Sequence, residues 1–418
     1  MNRELLVFFE ASAETILVGR LWTRVRAGRE SASFAYAESW LTHPLRHALE
    51  PALTLTQGTH HARSGQPLFG AFSDSAPDRW GRLLMRREER RRASNEGRTP
   101  RTLFETDVLV MVDDHARQGA LRFKEDPAGP FLANDAAFRI PPLVDLPRLL
   151  HAASDLEKDD GSDEALAVLL APGSSLGGAR PKASVMDHDE TLAIAKFPAH
   201  QDEIDTVRWE AVTLALAQRA GIAVSRHRIE NVNGEPVLLL TRFDRAKGGR
   251  RAFLSAMSML GATDRESASY LDIADAIRRH GASPDDDLIA LWRRVVFNIL
   301  VSNTDDHLRN HAFLLEGTHG WRLSPAYDLN PVPIDIRPRV HALAIDVDDP
   351  MAGMQGALDT APYYGVTSEI ATRILRDVVL AVASWRSIAQ RLDVSESEIE
   401  RMKSAFEHDD FDLARTLI

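Results

Sequence analysis

Residues 302–310 (SNTDDHLRN), followed by residues 323–328 (LSPAYD), decide the fold of this chain. Asp305 and Asn310 are separated by four residues, and Asp328 follows Asn310 by 18 residues. Phosphoryl transfer needs a carboxylate that accepts the proton of the acceptor hydroxyl, and oxygen ligands for magnesium. The catalytic loop of a kinase supplies them as Asp, four residues and Asn, with a second Asp after a strand. The pattern therefore predicts a catalytic loop for phosphoryl transfer.

The segment between the two parts, residues 312–323 (AFLLEGTHGWRL), predicts a β-hairpin: an apolar strand, a glycine-containing turn and a second strand. Such a hairpin would return Asp328 towards Asn310. We therefore predict Asp305 as the catalytic base and Asn310 and Asp328 as magnesium ligands. By itself the spacing is a weak signal, because Asp305 and Asp306 could equally cap a helix.

Upstream features strengthen this interpretation. Residues 174–182 (SSLGGARPK) form a loop of small residues that enters a predicted strand, and its glycines would let backbone amides approach a phosphate. Lys196 lies in the apolar strand LAIAKFP, where a phosphate or a helix carboxylate such as Glu210 would be its partner. A further apolar strand runs into residues 241–244, a connector whose backbone could read the edge of an adenine.

The order of predicted elements indicates an α+β chain: a kinase-like bilobal fold with an extra mixed α/β N-terminal domain and a mostly helical C-terminal lobe. We place the domains at 1–125, 126–245 and 246–418. Strands are predicted at 4–9, 15–21, 32–37, 119–123, 183–187, 191–198 and 235–245, and helices at 78–92, 103–112, 207–220 and 288–301. The last helix is apolar on most faces and should be buried. Residues 124–146 resemble a connector, and the acidic stretch 155–163 should be exposed.

Composition narrows the class of protein. The chain has 418 residues, 44% of them hydrophobic, a formal net charge of -11 and no cysteine. The acidic balance argues against binding nucleic acid over the whole surface, because phosphate binding needs a basic footprint. No membrane span and no secretory signal can be read, so a cytoplasmic protein is expected. The local basic run is best interpreted as a solvated helix face: Arg86, Arg87, Arg90, Arg91 and Arg92.

Five stretches occur in an order that resembles the HipA-like kinases of bacterial toxin–antitoxin systems: SSLGGARPKAS, LAIAKFP, LLLTRFDR, SNTDDHLRNHAFL and LSPAYDLNP. The N-terminal stretch PLFGAFSDSAPDRWGRLLM is also similar to that family, so the resemblance spans nearly the whole chain. Two features depart from the family. Arg180 and Pro181 stand where a polar-acidic pair is common, and Asp306 is an extra acidic residue beside the predicted base.

The resemblance implies ATP- and Mg²⁺-dependent phosphorylation of serine or threonine in a protein target. By position, Asp305 would be the base, Asn310 and Asp328 would hold magnesium, and Ser175 would be the site of an inhibitory autophosphorylation. The implied ATP-binding residues are Ser175, Gly177, Gly178, Ala179, Lys182, Lys196, Thr241, Arg242, Phe243, Asp244, His307, Asn310 and Asp328. A phosphate on Ser175 would add roughly -1.5 to -2 charges beside the phosphates of ATP.

The resemblance also implies partners. A small HipB-like antitoxin would bind DNA and restrain the kinase, so that contact with DNA would be indirect. The protein substrate would be an aminoacyl-tRNA synthetase or another translation factor, and its modification would restrain growth or translation, as in persistence.

Three alternatives stay open at this stage. Asp305, His307 and His311 could form the metal cluster of a hydrolase, with the two histidines four residues apart. The chain could instead be a catalytically silent, kinase-shaped scaffold that binds nucleotide. It could also be a kinase of the same architecture that phosphorylates a small molecule.

Overall fold

The computed structural model of this chain describes residues 2–11, 14–134, 140–158, 163–173, 178–246, 249–264, 266–347, 349–351 and 353–418, with the backbone alone at 171–173. Internal contacts divide it into two units. The first unit comprises residues 1–201 and 230–254, and the second comprises 202–229 and 255–418. The three-domain division made from the sequence stays a prediction.

The N-terminal part of the first unit is a five-stranded antiparallel sheet of order β4-β3-β2-β1-β5. Phe34, Trp40 and Phe72 are fully buried beneath it. The strands are β1 (Asn2–Ala11), β2 (Glu14–Arg26), β3 (Arg29–Tyr36), β4 (His60–His61) and β5 (Leu121–Lys124). The helices are α1 (Glu38–Leu41), α2 (Gly70–Ser73), α3 (Arg79–Asn95) and α4 (Glu105–Met111). The strands and helices predicted in this region are confirmed, with shifted ends.

The second sheet has the order β6-β7-β9-β8. Its apolar face shares a core with two helices, α5 (Leu146–Glu157) and α6 (Asp163–Gly173), which the sequence reading did not predict. The strands are β6 (Lys182–Met186), β7 (Leu192–Lys196), β8 (His227–Val232) and β9 (Glu235–Thr241), followed by the short strands β10 (Arg245–Ala246), β11 (Gly249–Arg250) and β12 (Phe253–Ser255). The predicted acidic stretch begins in the last turn of α5, and its residues 159–162 lie outside the described part.

Glu50 makes the first unit sensitive to pH. Its Oε2 accepts a hydrogen bond of 2.6 Å from the backbone N–H of Ala71, and burial raises its pKa to about 7. A group whose pKa is higher in the folded chain stabilises the fold most at low pH, and this stabilisation is lost as the pH rises from about 4.5 to about 7.

We therefore expect Glu50→Gln, which keeps an acceptor for Ala71, to remove this pH dependence. When the pH is raised from about 4.5 to about 8, the free energy of unfolding of the wild type should fall by roughly 3 kcal/mol more than that of the variant. One pKa unit is worth about 1.4 kcal/mol. Urea unfolding at the two pH values measures this difference. Parallel pH profiles for the two proteins would contradict the assignment.

The second unit is mostly helical. Its elements are α7 (Thr206–Arg219), α8 (Ala256–Leu260), α9 (Tyr270–His280), α10 (Pro284–Leu300), β13 (Ala312–Glu316), β14 (Gly320–Leu323), α11 (Met354–Thr360), α12 (Ser368–Val382), α13 (Trp385–Arg391), α14 (Glu396–Arg401), α15 (Lys403–Phe406) and α16 (Asp409–Thr416). The predicted buried helix is α10: Leu291, Trp292 and Val296 are fully buried. Three aspartates in its first turn complement the positive end of the helix dipole.

The predicted hairpin is confirmed as β13 and β14, which pair antiparallel from Phe313 opposite Leu323 to Glu316 opposite Gly320. The mostly helical C-terminal lobe that the sequence predicts is interrupted between residues 324 and 353. Within the described residues of this stretch there is no helix or named strand, because prolines recur at 325, 331, 333, 338 and 350. Among the described residues, no helix is long and apolar enough to cross a membrane.

Candidate active site

The predicted catalytic loop, residues 302–310, follows directly from α10, and we call it the catalytic segment. After the helix ends at Leu300, Ser302 adopts a left-handed backbone (φ 51°), and the N–H of Asn303 bonds to the carbonyl of Asn298 at 2.9 Å. This turn brings the chain to Asp305. The side chain of Asp305 is 62% exposed, while Asp306 and Asn310 beside it are buried. An exposed carboxylate in a rigid turn is accessible to an acceptor molecule.

The segment around Asp328 lies against the catalytic segment, as the hairpin predicts. The hydroxyl of Tyr327 donates to the carbonyl of Arg309 at 2.6 Å, and the N–H of Val332 donates to the carbonyl of Ser302 at 3.1 Å. Asp328 itself has a left-handed backbone with φ 58°. The residues next to Asn310 and Asp328 are thus bonded to one another.

Asparagine side chains connect the two segments further. The Nδ2 of Asn330 lies 3.4 Å from Oδ1 of Asp328, and its backbone N–H donates to Oδ1 of Asn303 at 3.3 Å. The Oδ1 of Asn330 and Nδ1 of His307 are both buried, and neither has a hydrogen-bond partner among the described residues. Buried polar atoms are normally satisfied, so these two suit a site completed by a ligand. The sequence reading missed Asn330, although its place two residues after Asp328 could have signalled it.

The carboxylate and amide oxygens of this cluster are the ligand type that Mg²⁺ prefers. Asn310 and Asp328 carry oxygens of this type, and their role as magnesium ligands stays a prediction. The hydrolase alternative needed a different set, Asp305, His307 and His311. Among the described residues, no group of three His, Cys, Asp or Glu side chains is arranged to hold a metal ion.

Asp306 is not a surface charge but the centre of a buried network. Its Oδ2 accepts from the hydroxyl of Tyr270 (2.5 Å), Nδ2 of Asn298 (2.9 Å) and Nε2 of His311 (2.7 Å). Burial raises the pKa of Asp306, but the charge and hydrogen bond of His311 outweigh it and leave the pKa below its ordinary value. The network ties the catalytic segment to α9 and α10, so Asp306 fixes the backbone between Asp305 and His307.

Arg337 is a second residue that the sequence reading missed. Its Nη1 donates to Oδ1 of Asp305 at 2.7 Å. Arg337 is 32 residues further along the chain, in the irregular stretch after Asp328, and no periodic pattern leads to it. A cation thus contacts the predicted base directly.

In the first unit, the predicted phosphate-binding residues lie at one end of the second sheet. Lys182 of β6 is directly opposite Lys196 of β7 in the antiparallel register, so both side chains lie on the same face. The Nζ of Lys182 lies so close to Gly178 (φ 83°) that a Cβ there would be 2.4 Å from it. The sheet therefore places both predicted phosphate-binding lysines side by side.

The start of β6 is held by α3 of the same unit. The indole N–H of Trp80 donates to the carbonyl of Lys182 at 2.9 Å, and the backbone N–H of Trp80 donates to the carbonyl of Gly178 at 3.1 Å. Ala179, between them, is exposed. Ser175 and Gly177, the other predicted residues of this loop, lie outside the described residues.

The connector after β9 has its charged side chains directed into the first unit. Asp244 accepts from Nε of Arg242 (2.8 Å), from Nη1 of Arg245 (2.7 Å) and from the backbone N–H of Gly119 (2.8 Å). Burial raises the pKa of Asp244, but the two arginines outweigh it and leave this pKa well below its ordinary value. The stacked rings of Phe243 and Phe253, 6.3 Å apart, support the same turn. Any nucleotide contact from Arg242 or Asp244 would therefore come most readily from the backbone.

The architecture and the catalytic segment define this protein as an α+β chain with a kinase-like fold. The family of the HipA-like C-terminal domain matches residues 174–386, just over half of the chain. The chain belongs to the HipA-like family.

Solved and curated proteins are similar to this chain over different spans. HipA of Shewanella oneidensis MR-1, solved with HipB and its operator DNA, matches with a TM-score of 0.63 and 16% identity, over 99% of this chain and 96% of that one. Two curated proteins carry the name "Putative kinase": Y4mE of Sinorhizobium fredii is 28% identical over 181 residues, and one of Haemophilus influenzae is 25% identical over 186 residues. These alignments span 37% and 38% of this chain but only 41% and 54% of the two relatives.

Proposed function

We propose that this protein is an ATP-dependent serine/threonine protein kinase. One observation carries the proposal. The segment of the exposed Asp305 and the segment of Asp328 are joined by the hydrogen bond from the Tyr327 hydroxyl to the carbonyl of Arg309. This pairing supports one carboxylate as proton acceptor beside a cluster of oxygen ligands, which is what phosphoryl transfer requires. Membership of the HipA-like family supports the same reaction.

In this proposal Asp305 accepts the proton of the acceptor hydroxyl, and Asn310 and Asp328 hold magnesium. The ion, when bound, would neutralise charge on the phosphates of ATP. Lys182 and Lys196, which lie directly opposite one another on β6 and β7, would bind phosphate oxygens. Gly178 and Ala179 would line the phosphates, and His307 would contact the nucleotide. The backbone of residues 241–244 would meet the adenine.

The first test is intact-protein mass after incubation of phosphatase-treated protein with ATP and Mg²⁺. We expect a gain of one phosphate that maps to Ser175 and is absent in Ser175→Ala. A gain at another hydroxyl would support the kinase and contradict the autophosphorylation site. ATP binding without any phosphate gain, even with added protein acceptors, would favour the silent scaffold, and absence of ATP binding would overturn the proposal.

We further propose that phosphorylation of Ser175 switches the kinase off. The added negative charge would repel the phosphates of ATP, so the dissociation constant for ATP should rise at least tenfold, equal to about 1.4 kcal/mol. Isothermal titration of ATP into the dephosphorylated and phosphorylated forms measures this change. Equal affinities would contradict an electrostatic switch.

The partners follow the family. The Shewanella HipA was solved with HipB and operator DNA, and we propose that this chain likewise binds a small HipB-like antitoxin that carries the DNA contacts. The proposed target is an aminoacyl-tRNA synthetase or another translation factor, whose modification would restrain growth. We also propose a cytoplasmic location, because the proposed targets are proteins of translation.

A further inference from the structure

The segment that carries Arg337 is held rigidly although it has no helix or strand. Proline fixes its backbone at residues 331, 333 and 338. The carbonyl of Pro333 accepts from the N–H groups of Ile336 (3.0 Å) and Arg337 (3.2 Å), which closes a tight turn. We call residues 331–340 the proline loop.

A backbone carbonyl of α10 and side chains of the C-terminal helices fasten the proline loop on both sides of Arg337. The N–H of Ile334 donates to Oγ of Ser404 at 3.1 Å, and Oδ2 of Asp335 accepts from Nε of Arg401 at 2.9 Å. Arg339 contacts Oδ2 of Asp410 at 2.8 Å and the carbonyl of Ile299 at 3.2 Å. Arg337, at the turn between these anchors, is thus placed by the loop.

The ion pair between Arg337 and Asp305 adds too little to folding stability to explain why the loop holds Arg337 there. Asp305 and Arg337 are 62% and 49% exposed, and an exposed ion pair contributes only about 0–1 kcal/mol to folding. An arginine can nevertheless fix the rotamer of a carboxylate, because its donors have a rigid planar geometry. A catalytic base is commonly oriented by such a third group.

Resting on the proposed kinase function, we infer that Arg337 is a positioning residue for Asp305. Its guanidinium holds Oδ1, so that Oδ2 faces the acceptor hydroxyl. In the transfer, the acceptor O–H bond breaks and its proton passes to Oδ2. The acceptor oxygen forms a bond to the γ-phosphorus, and the bond from phosphorus to the bridging oxygen breaks to release ADP. Arg337 neither gives nor takes a proton in this step.

The test is the rate of phosphate transfer in Arg337→Ala, followed by intact-protein mass. We expect kcat to fall about 10- to 100-fold, because a misplaced catalytic group costs rates of that order. The KM and the dissociation constant for ATP should be unchanged. Guanidinium chloride, at concentrations well below those that unfold the wild type, should restore part of the lost rate.

The matched control is Arg278→Ala, which removes a comparably exposed arginine–aspartate pair of the same unit, with Asp275 in α9, and leaves the proline loop and its anchors in place. Its rate should stay close to that of the wild type and should not respond to guanidinium. If Arg337→Ala matches or exceeds the wild-type rate, or if its lost rate is not restored by guanidinium, the inference is overturned. A wild type that transfers no phosphate would instead overturn the proposed function, so the two failures are distinguishable.

Discussion

Asp305→Asn should reduce phosphate transfer by about 10²- to 10⁴-fold, since a positioned general base contributes a factor of this size. Asparagine has the same shape, but its amide cannot accept the proton of the hydroxyl. The side chain is exposed and pairs with the exposed Arg337, so the fold should be unaffected. Mass analysis after incubation with ATP and Mg²⁺ measures the rate, and calorimetry checks that ATP still binds.

The control for this experiment is Asp275→Asn, an exposed aspartate of α9 that contacts Arg278 and not the catalytic segment or the proline loop. We expect it to transfer phosphate at nearly the wild-type rate. Equal rates in wild type and Asp305→Asn would rule out Asp305 as the base.

Asp306→Ala should have the largest effect on stability, a loss of about 3–5 kcal/mol in the free energy of unfolding of the second unit. The substitution leaves three buried groups without their shared acceptor, on Tyr270, Asn298 and His311. Hydrogen exchange of the amides in α10 and in the catalytic segment reports this unit separately. Asp264→Ala, which removes an exposed partner of Arg309 in the same region, should cost less than about 1 kcal/mol.

The effect of Asp306 on stability should depend on pH in a definite direction. Its pKa is lower in the folded chain than the ordinary value of 3.8. The carboxylate therefore stabilises the fold fully above that value, and its contribution is lost as the pH falls through the lower pKa of the folded state. The difference in free energy of unfolding between wild type and Asp306→Ala should be constant near neutral pH and should become smaller only in strong acid. A difference that already disappears near neutral pH would contradict the assigned charge.

Local sequence patterns were sufficient to predict the helix and the hairpin on either side of the catalytic segment. The apolar run of α10 and the two apolar strands around a glycine-containing turn are periodic signals, and both elements are present. Since α10 and the hairpin flank the catalytic segment, the proximity of Asp328 to it could be predicted. The individual roles of Asp305, Asn310 and Asp328 stay predictions until variants are measured.

The remaining features depend on contacts between distant residues, which no periodic pattern records. Arg337 reaches Asp305 across 32 residues of irregular chain, and Asp306 is buried because the turn after α10 directs it inward while Asp305 next to it faces outward. Helices α5 and α6 were missed for a different reason. They follow a proline-rich connector and lie on either side of an acidic stretch, and this composition favoured the prediction of an exposed loop. Their apolar faces, which pack on the second sheet, were therefore not recognised.

The left-handed backbone of Asp328 also limits how this position can drift in evolution. Asparagine, aspartate and glycine tolerate positive φ, whereas alanine and β-branched residues are strained there. A descendant that lost the carboxylate would therefore be found most often with Asn or Gly at this position. The same asymmetry makes Asp328→Asn the cleaner test of the predicted magnesium ligand, because Asp328→Ala would combine loss of the carboxylate with a distorted turn.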